Sequence, residues 1–265
     1  PFMQKYGLES FFDYSHLGVR GYFGVIKKLP LLLRLRGKLI EYLLDQKPDI
    51  FIGIDAPDFN FKIERKLKNN NIPVYHYVAP SVWAWRKKRI HEMKKDMNHI
   101  FSLFPHEKLI FNKIKLPNTF VGHPLANKIP IKPPIKKARE LLKINSQKTI
   151  ISLLPGSRKS ELKWHLDVMI KSAIKINQKI NDCEFLIPVN NRENHAYAIK
   201  QITHIDIKNI KIIIGHSHDV ICASNLCILA SGTASLEAAL YKKPMIIIYK
   251  MSWLSWIILK RMHLI

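Results

Sequence analysis

Short apolar runs that end in small or charged residues recur along this chain, and a stretch with helical spacing follows most of them. The first clear case is Ile50-Phe51-Ile52-Gly53-Ile54, stopped in front by Pro48-Asp49 and followed directly by Asp55. A continuous apolar run this short reads as a strand buried on both faces, which is how strands of parallel sheets look. The segments 74–78, 99–103, 119–121, 149–154, 185–189, 210–214, 226–229 and 245–249 read the same way. Between them, 29–44, 62–71, 86–97, 161–179 and 234–240 carry helical patterns. Strands alternating with helices predict an α/β fold built on parallel sheets.

One stretch breaks the alternation. Pro130, Pro133 and Pro134 fall close together, where neither a helix nor a central strand can continue. The expected organisation is an N-terminal Rossmann-like domain over 1–122, an interdomain linker and lead-in over 123–148, and a second Rossmann-like domain over 149–265. The two are expected to face each other across a cleft. A chain of 265 residues, 47% hydrophobic, has enough apolar material for two cores, and 24% charged residues is ordinary for a folded protein.

Composition also excludes function classes. No apolar run reaches the roughly 18 residues a membrane-spanning helix needs. The three cysteines, Cys183, Cys222 and Cys227, form no CxxC pair and no disulfide framework. Of the twelve histidines only His216 and His218 are closely spaced, with no third ligand nearby, so a solvated loop is expected there and no metal site. The net charge of +23 fits a polyanionic partner, a nucleic acid or an anionic membrane surface. It equally fits the Lys-, Ile- and Asn-rich composition that AT-rich coding DNA produces. No helix-turn-helix or RNA-binding aromatic motif is present, so no nucleic-acid partner is expected.

Four segments carry chemistry. In Gly53-Ile54-Asp55-Ala56-Pro57-Asp58-Phe59-Asn60 a carboxylate sits at the carboxyl end of a buried strand, where ligands of open α/β sheets bind. Asp55 there either accepts a proton from a substrate hydroxyl or caps the turn that follows. In Leu153-Leu154-Pro155-Gly156-Ser157-Arg158, Gly156 permits a tight turn, Ser157 offers a hydroxyl and an amide, and Arg158 can grip a phosphate. The plainer alternative is an ordinary strand–turn–helix corner with a solvated Arg. In Ala230-Ser231-Gly232-Thr233-Ala234-Ser235-Leu236-Glu237, the amides of Thr233 and Ala234 would meet a diphosphate, and Glu237 could accept from ribose hydroxyls. In Pro80-Ser81-Val82-Trp83-Ala84-Trp85-Arg86, two tryptophans either form an aromatic shelf or divide between core and surface.

These segments, with Phe104-Pro105-His106-Glu107 and Val121-Gly122-His123-Pro124, are similar in order and spacing to lipid-A-disaccharide synthases, inverting glycosyltransferases of the GT-B fold. The resemblance covers essentially the whole chain. GIDAPDFN and PSVWAWR are its most specific parts; the other segments occur more loosely across GT-B transferases. Another GT-B transferase or a sugar-nucleotide epimerase would share the second-half turns but would not be expected to carry PSVWAWR. The chain opens at Pro1. The family's first strand and glycine-rich GE(A/T)SGD loop are absent, and the family continues past Ile265. Both domains are therefore expected to be incomplete, and a non-catalytic relic is a third reading.

The resemblance implies a reaction and a site. UDP-2,3-diacylglucosamine donates its sugar to 2,3-diacylglucosamine 1-phosphate, forming the β-1,6 lipid A disaccharide and UDP. No cofactor and no metal are implied. Asp55 becomes the candidate base, with Asp58 second, and Arg158 the leaving-group cation. Ser157, Gly232, Thr233 and Ala234 are expected on the diphosphate and Glu237 on the ribose, while Trp83, Trp85 and Arg86 join Asp58 on the acceptor side. Acylated substrates also imply contact with an anionic inner-membrane surface from the cytoplasm. Phe23, Val25, Ile26, Leu29, Leu32 and Leu33, interleaved with Lys27 and Lys28, are the expected contact. The alternative is a core helix with solvated cations, and Pro30 near a helix start fits both.

Overall fold

The structure is a computed structural model that describes residues 3–12, 22–80, 89–144, 147–180, 182–203, 205, 207, 209–251 and 253–261. Of residues 3, 4, 22–27, 254, 255, 258 and 259 it describes the backbone only. The chain divides into two compact units, 1–123 with 254–265, and 124–253. Both are α/β with wholly parallel sheets, as the alternation predicts.

In the first unit, β1 (Phe51–Ile54), β2 (Val74–Tyr77), β3 (His99–Ser102) and β4 (Asn118–Phe120) lie side by side in chain order. Four helices alternate with them: α1 (Tyr22–Gln46), α2 (Pro57–Lys68), α3 (Arg89–Asp96) and α4 (Pro105–Lys113). Phe61, Ile63 and Leu67 of α2 pack with Val74, Ile100, Met93 and Phe111 in a continuous core, and Leu39, Ile40 and Leu43 of α1 close over it. The expected helix at 62–71 in fact begins at Pro57, whose fixed φ and missing N–H suit the first turn. Pro30 lies inside α1, not near its start.

The second unit holds α5 (Pro124–Lys128), α6 (Ile135–Leu141), β5 (Thr149–Leu154), α7 (Lys159–Asn177), β6 (Cys183–Val189), α8 (Arg192–Ile202), β7 (Ile210–Ile214), α9 (Ser217–Ala223), β8 (Leu226–Ala230), α10 (Thr233–Leu240) and β9 (Met245–Ile248). Its sheet runs β7-β6-β5-β8-β9. Inward residues alternate along β5. Ile150 and Leu154 pack with Leu229, Val220 and Ala238 on one face, and Ile151 and Leu153 with Leu166, Met169 and Phe185 on the other. Helices thus cover both faces of the central strands β5, β6 and β8, which is why those strands read as apolar runs.

Two boundaries differ from the sequence expectation. The stretch 123–148, expected as linker and lead-in, contains α5 and α6, and Ile129, Ala138 and Ile144 belong to the second unit's core. Pro130 follows the end of α5 and Pro134 stands at the N-cap of α6, so the prolines bound short helices and do not free the chain. Arg139 of α6 is buried and donates from Nε to the Ala223 carbonyl (3.0 Å) and from Nη2 to Asn225 Oδ1 (2.8 Å). The same Asn225 oxygen accepts from the Ile150 amide of β5. At the other end, α11 (Trp253–Arg261) falls mostly within 254–265, which group with the first unit, whereas 149–265 was expected as one domain.

His216 and His218 lie at the start of α9, where His216 Nδ1 faces Asp219 Oδ2 at 3.0 Å, so the expected loop is a helix start. The three cysteines are buried and free, and burial pushes each thiol above its ordinary pKa. They behave as small apolar side chains.

Because Arg139 joins α6 to β5 and to the end of α9, Arg139→Met is expected to destabilise the protein by about 2–3 kcal/mol, through the acceptors it leaves unpaired. Urea denaturation monitored by circular dichroism would measure the loss.

Candidate functional site

The second unit offers the clearest ligand-binding geometry. Strand order reverses beside β5, with β6 and β7 to one side and β8 and β9 to the other. Adjacent strands that leave a sheet centre in opposite directions open a crevice beyond their carboxyl ends. The two phosphate-type turns, 155–158 after β5 and 231–232 after β8, emerge at this point from neighbouring strands. Ser157, Arg158, Gly232, Thr233, Ala234 and Glu237 are therefore brought to one edge of one sheet.

The turn after β5 is set from within. Gly156 has φ +111°, and a Cβ there would collide with the Glu161 carboxylate. Glu161 Oε2 accepts from the amides of Ser157 (2.9 Å) and Arg158 (3.3 Å), while its Oε1 pairs with Arg158 Nη1 at 2.7 Å. This is the reach-back of a third-position Glu onto a helix start. The Ser157 amide, expected as a phosphate donor, is thus already bonded. Arg158 is held by one arm at a half-exposed position, and its fork has further N–H groups to offer.

The turn after β8 differs. Gly232 is extended, with φ 160° and ψ −157°, and a Cβ there would meet nothing within 4 Å. Neither backbone conformation nor internal packing demands a glycine here. Ser235 Oγ donates to the Gly232 carbonyl at 2.7 Å, and the Ser231 amide donates to Ile248 of β9 at 3.0 Å. Thr233 opens α10, and Glu237 lies half-buried one turn on.

In the first unit, Asp55 follows β1 with φ 51°, and Ala56 has φ 43°. Two successive left-handed residues are costly for side chains other than glycine, and such strain concentrates at functional positions. The turn is tied down on all sides. The Asp55 amide donates to Tyr77 (2.9 Å), and Asn60 Nδ2 donates to the carbonyls of Asp55 (2.8 Å) and Ile54 (3.3 Å). Helix α2 is capped by Ala56 with no side-chain bond, so Asp55 is not its cap. Among the described residues no group bonds the exposed Asp55 carboxylate. Asp58, by contrast, pairs with Arg89 at 2.7 Å, and Arg89 lies over the Phe61 ring at 4.7 Å.

Beneath this turn lies a feature the sequence did not single out. Glu64 of α2 and His76 of β2 are fully buried and meet at 2.6 Å. Gly53, paired in register with His76, is what makes room, because a Cβ at position 53 would collide with the Glu64 carboxylate. Glu64 Oε2 and His76 Nε2 have no hydrogen-bond partner among the described residues. The available signal was a glycine inside a strand, which marks a close approach.

Trp83, Trp85 and Arg86 lie outside the described residues, as do the side chains of Phe23, Val25, Ile26 and Lys27. Of the remaining α1 positions, Leu29 and Leu33 are exposed, and Lys28 and Leu32 are half-buried. Among the described residues no group of three or more His, Cys, Asp and Glu side chains is arranged to hold a metal ion, and no helix is long and apolar enough to cross a membrane.

A family model described as lipid-A-disaccharide synthetase matches residues 1–265. A lipid-A-disaccharide synthase of Methylobacillus flagellatus is 46% identical over 265 residues, which is 99% of this chain and 70% of that protein. One of Idiomarina loihiensis is 41% identical, covering 99% and 69% respectively. Among solved structures, UDP-GlcNAc 2-epimerase from Neisseria meningitidis bound to UDP-GlcNAc superposes with a TM-score of 0.59 at 15% identity, over 92% of this chain and 70% of that one. The Methanocaldococcus jannaschii UDP-GlcNAc 2-epimerase in complex with UDP-GlcNAc and UDP gives 0.57 at 16%, over 93% and 71%. At these identities the likeness is one of fold, the Rossmann-like GT-B class.

Removing one member of a buried hydrogen-bonded pair strands its partner, whereas replacing both with apolar groups does not. Glu64→Ala is therefore expected to destabilise the protein by about 1–3 kcal/mol, and Glu64→Leu combined with His76→Phe by clearly less. Denaturant midpoints of the two variants test the order.

Proposed function

The chain belongs to the lipid-A-disaccharide synthase family, and from that premise we propose that it transfers the sugar of UDP-2,3-diacylglucosamine to the 6-hydroxyl of 2,3-diacylglucosamine 1-phosphate. In the balanced step the acceptor oxygen bonds to the anomeric carbon from the face opposite the diphosphate. The bond to the diphosphate oxygen breaks, UDP leaves with the electron pair, and the acceptor proton passes to a base. The configuration inverts, giving the β-1,6 disaccharide.

The observation that carries the site assignment is the Asp55 carboxylate, unengaged among the described residues, on a strained, well-anchored turn. Asp55 is the base in this reading. Asp58, already paired with Arg89, lines the acceptor side with Trp83, Trp85 and Arg86. At the second unit's switch point Arg158 meets the charge that builds on the leaving diphosphate. Donors fixed in advance act there without reorganising. The amides of Thr233 and Ala234 supply further donors, the bare Gly232 lets the diphosphate approach the backbone, and Ser157 contributes its hydroxyl. Glu237 accepts from the ribose.

The lipid substrates place the reaction at an anionic membrane surface, here the cytoplasmic face of a Gram-negative inner membrane, with the chain bound peripherally. Exposed Leu29 and Leu33 on α1, beside exposed Arg34 and Lys38, support that helix as the contact, together with Phe23, Val25, Ile26, Lys27, Lys28 and Leu32.

Asp55→Asn is expected to lower kcat by about 10²–10⁴ while leaving UDP affinity nearly intact. Arg158→Ala is expected to weaken UDP binding by about 10-fold or more as well as slowing turnover. Calorimetry with UDP alongside steady-state kinetics separates the two, and near-normal kcat in the Asp55→Asn variant would remove Asp55 from the reaction. For the membrane contact, Phe23→Ser/Ile26→Ser and Lys27→Glu/Lys28→Glu are expected to lose co-sedimentation with anionic vesicles while keeping the parent's circular dichroism. Undiminished binding by both would rule this segment out.

A further inference from the structure

His165, in the second turn of α7, is buried at 2% exposure and lies outside the residues assigned to the reaction. Both of its ring nitrogens are engaged by backbone atoms from different loops. Nδ1 is 3.0 Å from the Pro155 carbonyl, and Nε2 is 3.1 Å from the Lys250 amide. A carbonyl oxygen only accepts and an amide N–H only donates, so the partners fix the proton on Nδ1 and leave Nε2 bare. The ring is therefore neutral and oriented, and the Tyr249 ring packs against it at 5.6 Å.

What the two bonds connect is informative. Pro155 begins the turn that carries Ser157 and Arg158, at the end of β5. Lys250 follows β9. These strands do not touch in the sheet, because β8 lies between them and ends in the Gly232 turn. That middle turn is fastened to the same β9 end through the bond from the Ser231 amide to Ile248. One imidazole therefore closes a chain of contacts through the three turns at the sheet's carboxyl edge. Sheet hydrogen bonds alone leave such turns free to shift against one another.

We infer that His165 is a positioning residue that braces the turns at 155–158, 231–232 and 249–250 into one rigid cradle for the nucleotide diphosphate. The inference rests on the nucleotide-sugar reading above. His165 touches no substrate; it sets where Arg158 and the α10 amides stand. Its loss should therefore raise the KM of the nucleotide-sugar donor and leave that of the acceptor unchanged.

The test uses the full chain with UDP as probe and three variants checked by circular dichroism. His165→Phe keeps an aromatic ring but loses both bonds. His165→Asn can keep a donor near the Nδ1 position and loses the bond to Lys250. His165→Gln carries a donor and an acceptor at a spacing close to that of the imidazole nitrogens. With both bonds gone, UDP affinity should fall about 5- to 20-fold, the scale expected for two hydrogen bonds. The Asn variant should lie between, and the Gln variant within about threefold of the parent. Native-state hydrogen exchange supplies a second readout, since the Lys250 amide should exchange faster in the Phe and Asn variants. A folded Phe variant that binds UDP like the parent, or an equal rise in both substrates' KM, overturns the inference. Should the Phe variant fail to fold, an Asn variant with parental UDP affinity and Lys250 exchange overturns it equally. A parent chain that does not bind UDP would remove the nucleotide reading itself, while the exchange measurement still decides whether His165 braces the turns.

Discussion

Every strand in both sheets is parallel, and the rest of the molecule depends on that constraint. A parallel pair cannot be closed by a tight hairpin, so the chain must return over a sheet face after each strand, here mostly as a helix. All carboxyl ends then collect on one edge of each sheet. Turns distant in sequence, such as 155–158 and 231–232, become neighbours because β5 and β8 pair in register from Ile151–Leu226 to Leu154–Leu229. The phosphate-type residues need no long-range contacts of their own to meet.

The same constraint explains what could be read from the sequence. Strands covered on both faces are continuous apolar runs, and 149–154 coincides with the central strand β5; 210–214 coincides with β7, an edge strand that is only partly covered. α4, α8 and α9 carry no helical reading in the sequence, although α3 and α10 are about as short as they are and do. The prolines at 130–134 suggested a linker, yet the buried Arg139 ties that stretch to β5 and the end of α9 through contacts far apart in sequence. Spacing alone placed Asp55 and Arg158 at strand ends, and the resemblance supplied their roles. Neither revealed that Glu161 already occupies the amides of the Arg158 turn, because a helix-start Glu looks the same whether it faces solvent or folds back. His165 was equally silent, since its value lies in two backbone partners that no side-chain motif records.

Carboxylates recur as internal fixtures. Glu161 fills the turn after β5, and Glu107 plays a similar part at the start of α4, accepting from the amides of Leu103 and Phe104 at 3.0 and 2.9 Å. Burial raises the Glu107 carboxyl above its usual pKa even though both amides oppose the shift. In each case the acid spends its charge on backbone donors a helix start would otherwise leave open. Asp55 is different because its turn is held by its own amide and by Asn60, and among the described residues nothing bonds its carboxylate.

The close fit of Gly53 against Glu64 also limits how this sequence can drift. A larger residue at position 53 meets a buried carboxylate, so such a change becomes tolerable only after position 64 has been shortened. Position 64, in turn, can change only together with His76, whose ring would otherwise be left buried without its partner. The three sites form an ordered set of dependencies, in which the same substitution is neutral or disabling according to what came before it. Gly156 is constrained in another way. Its backbone angle of +111° remains unfavourable to a side chain whatever stands at position 161, so no prior change opens that route. Two glycines that look alike in the sequence would therefore leave different marks in a family alignment, one covarying with its neighbours and the other simply fixed.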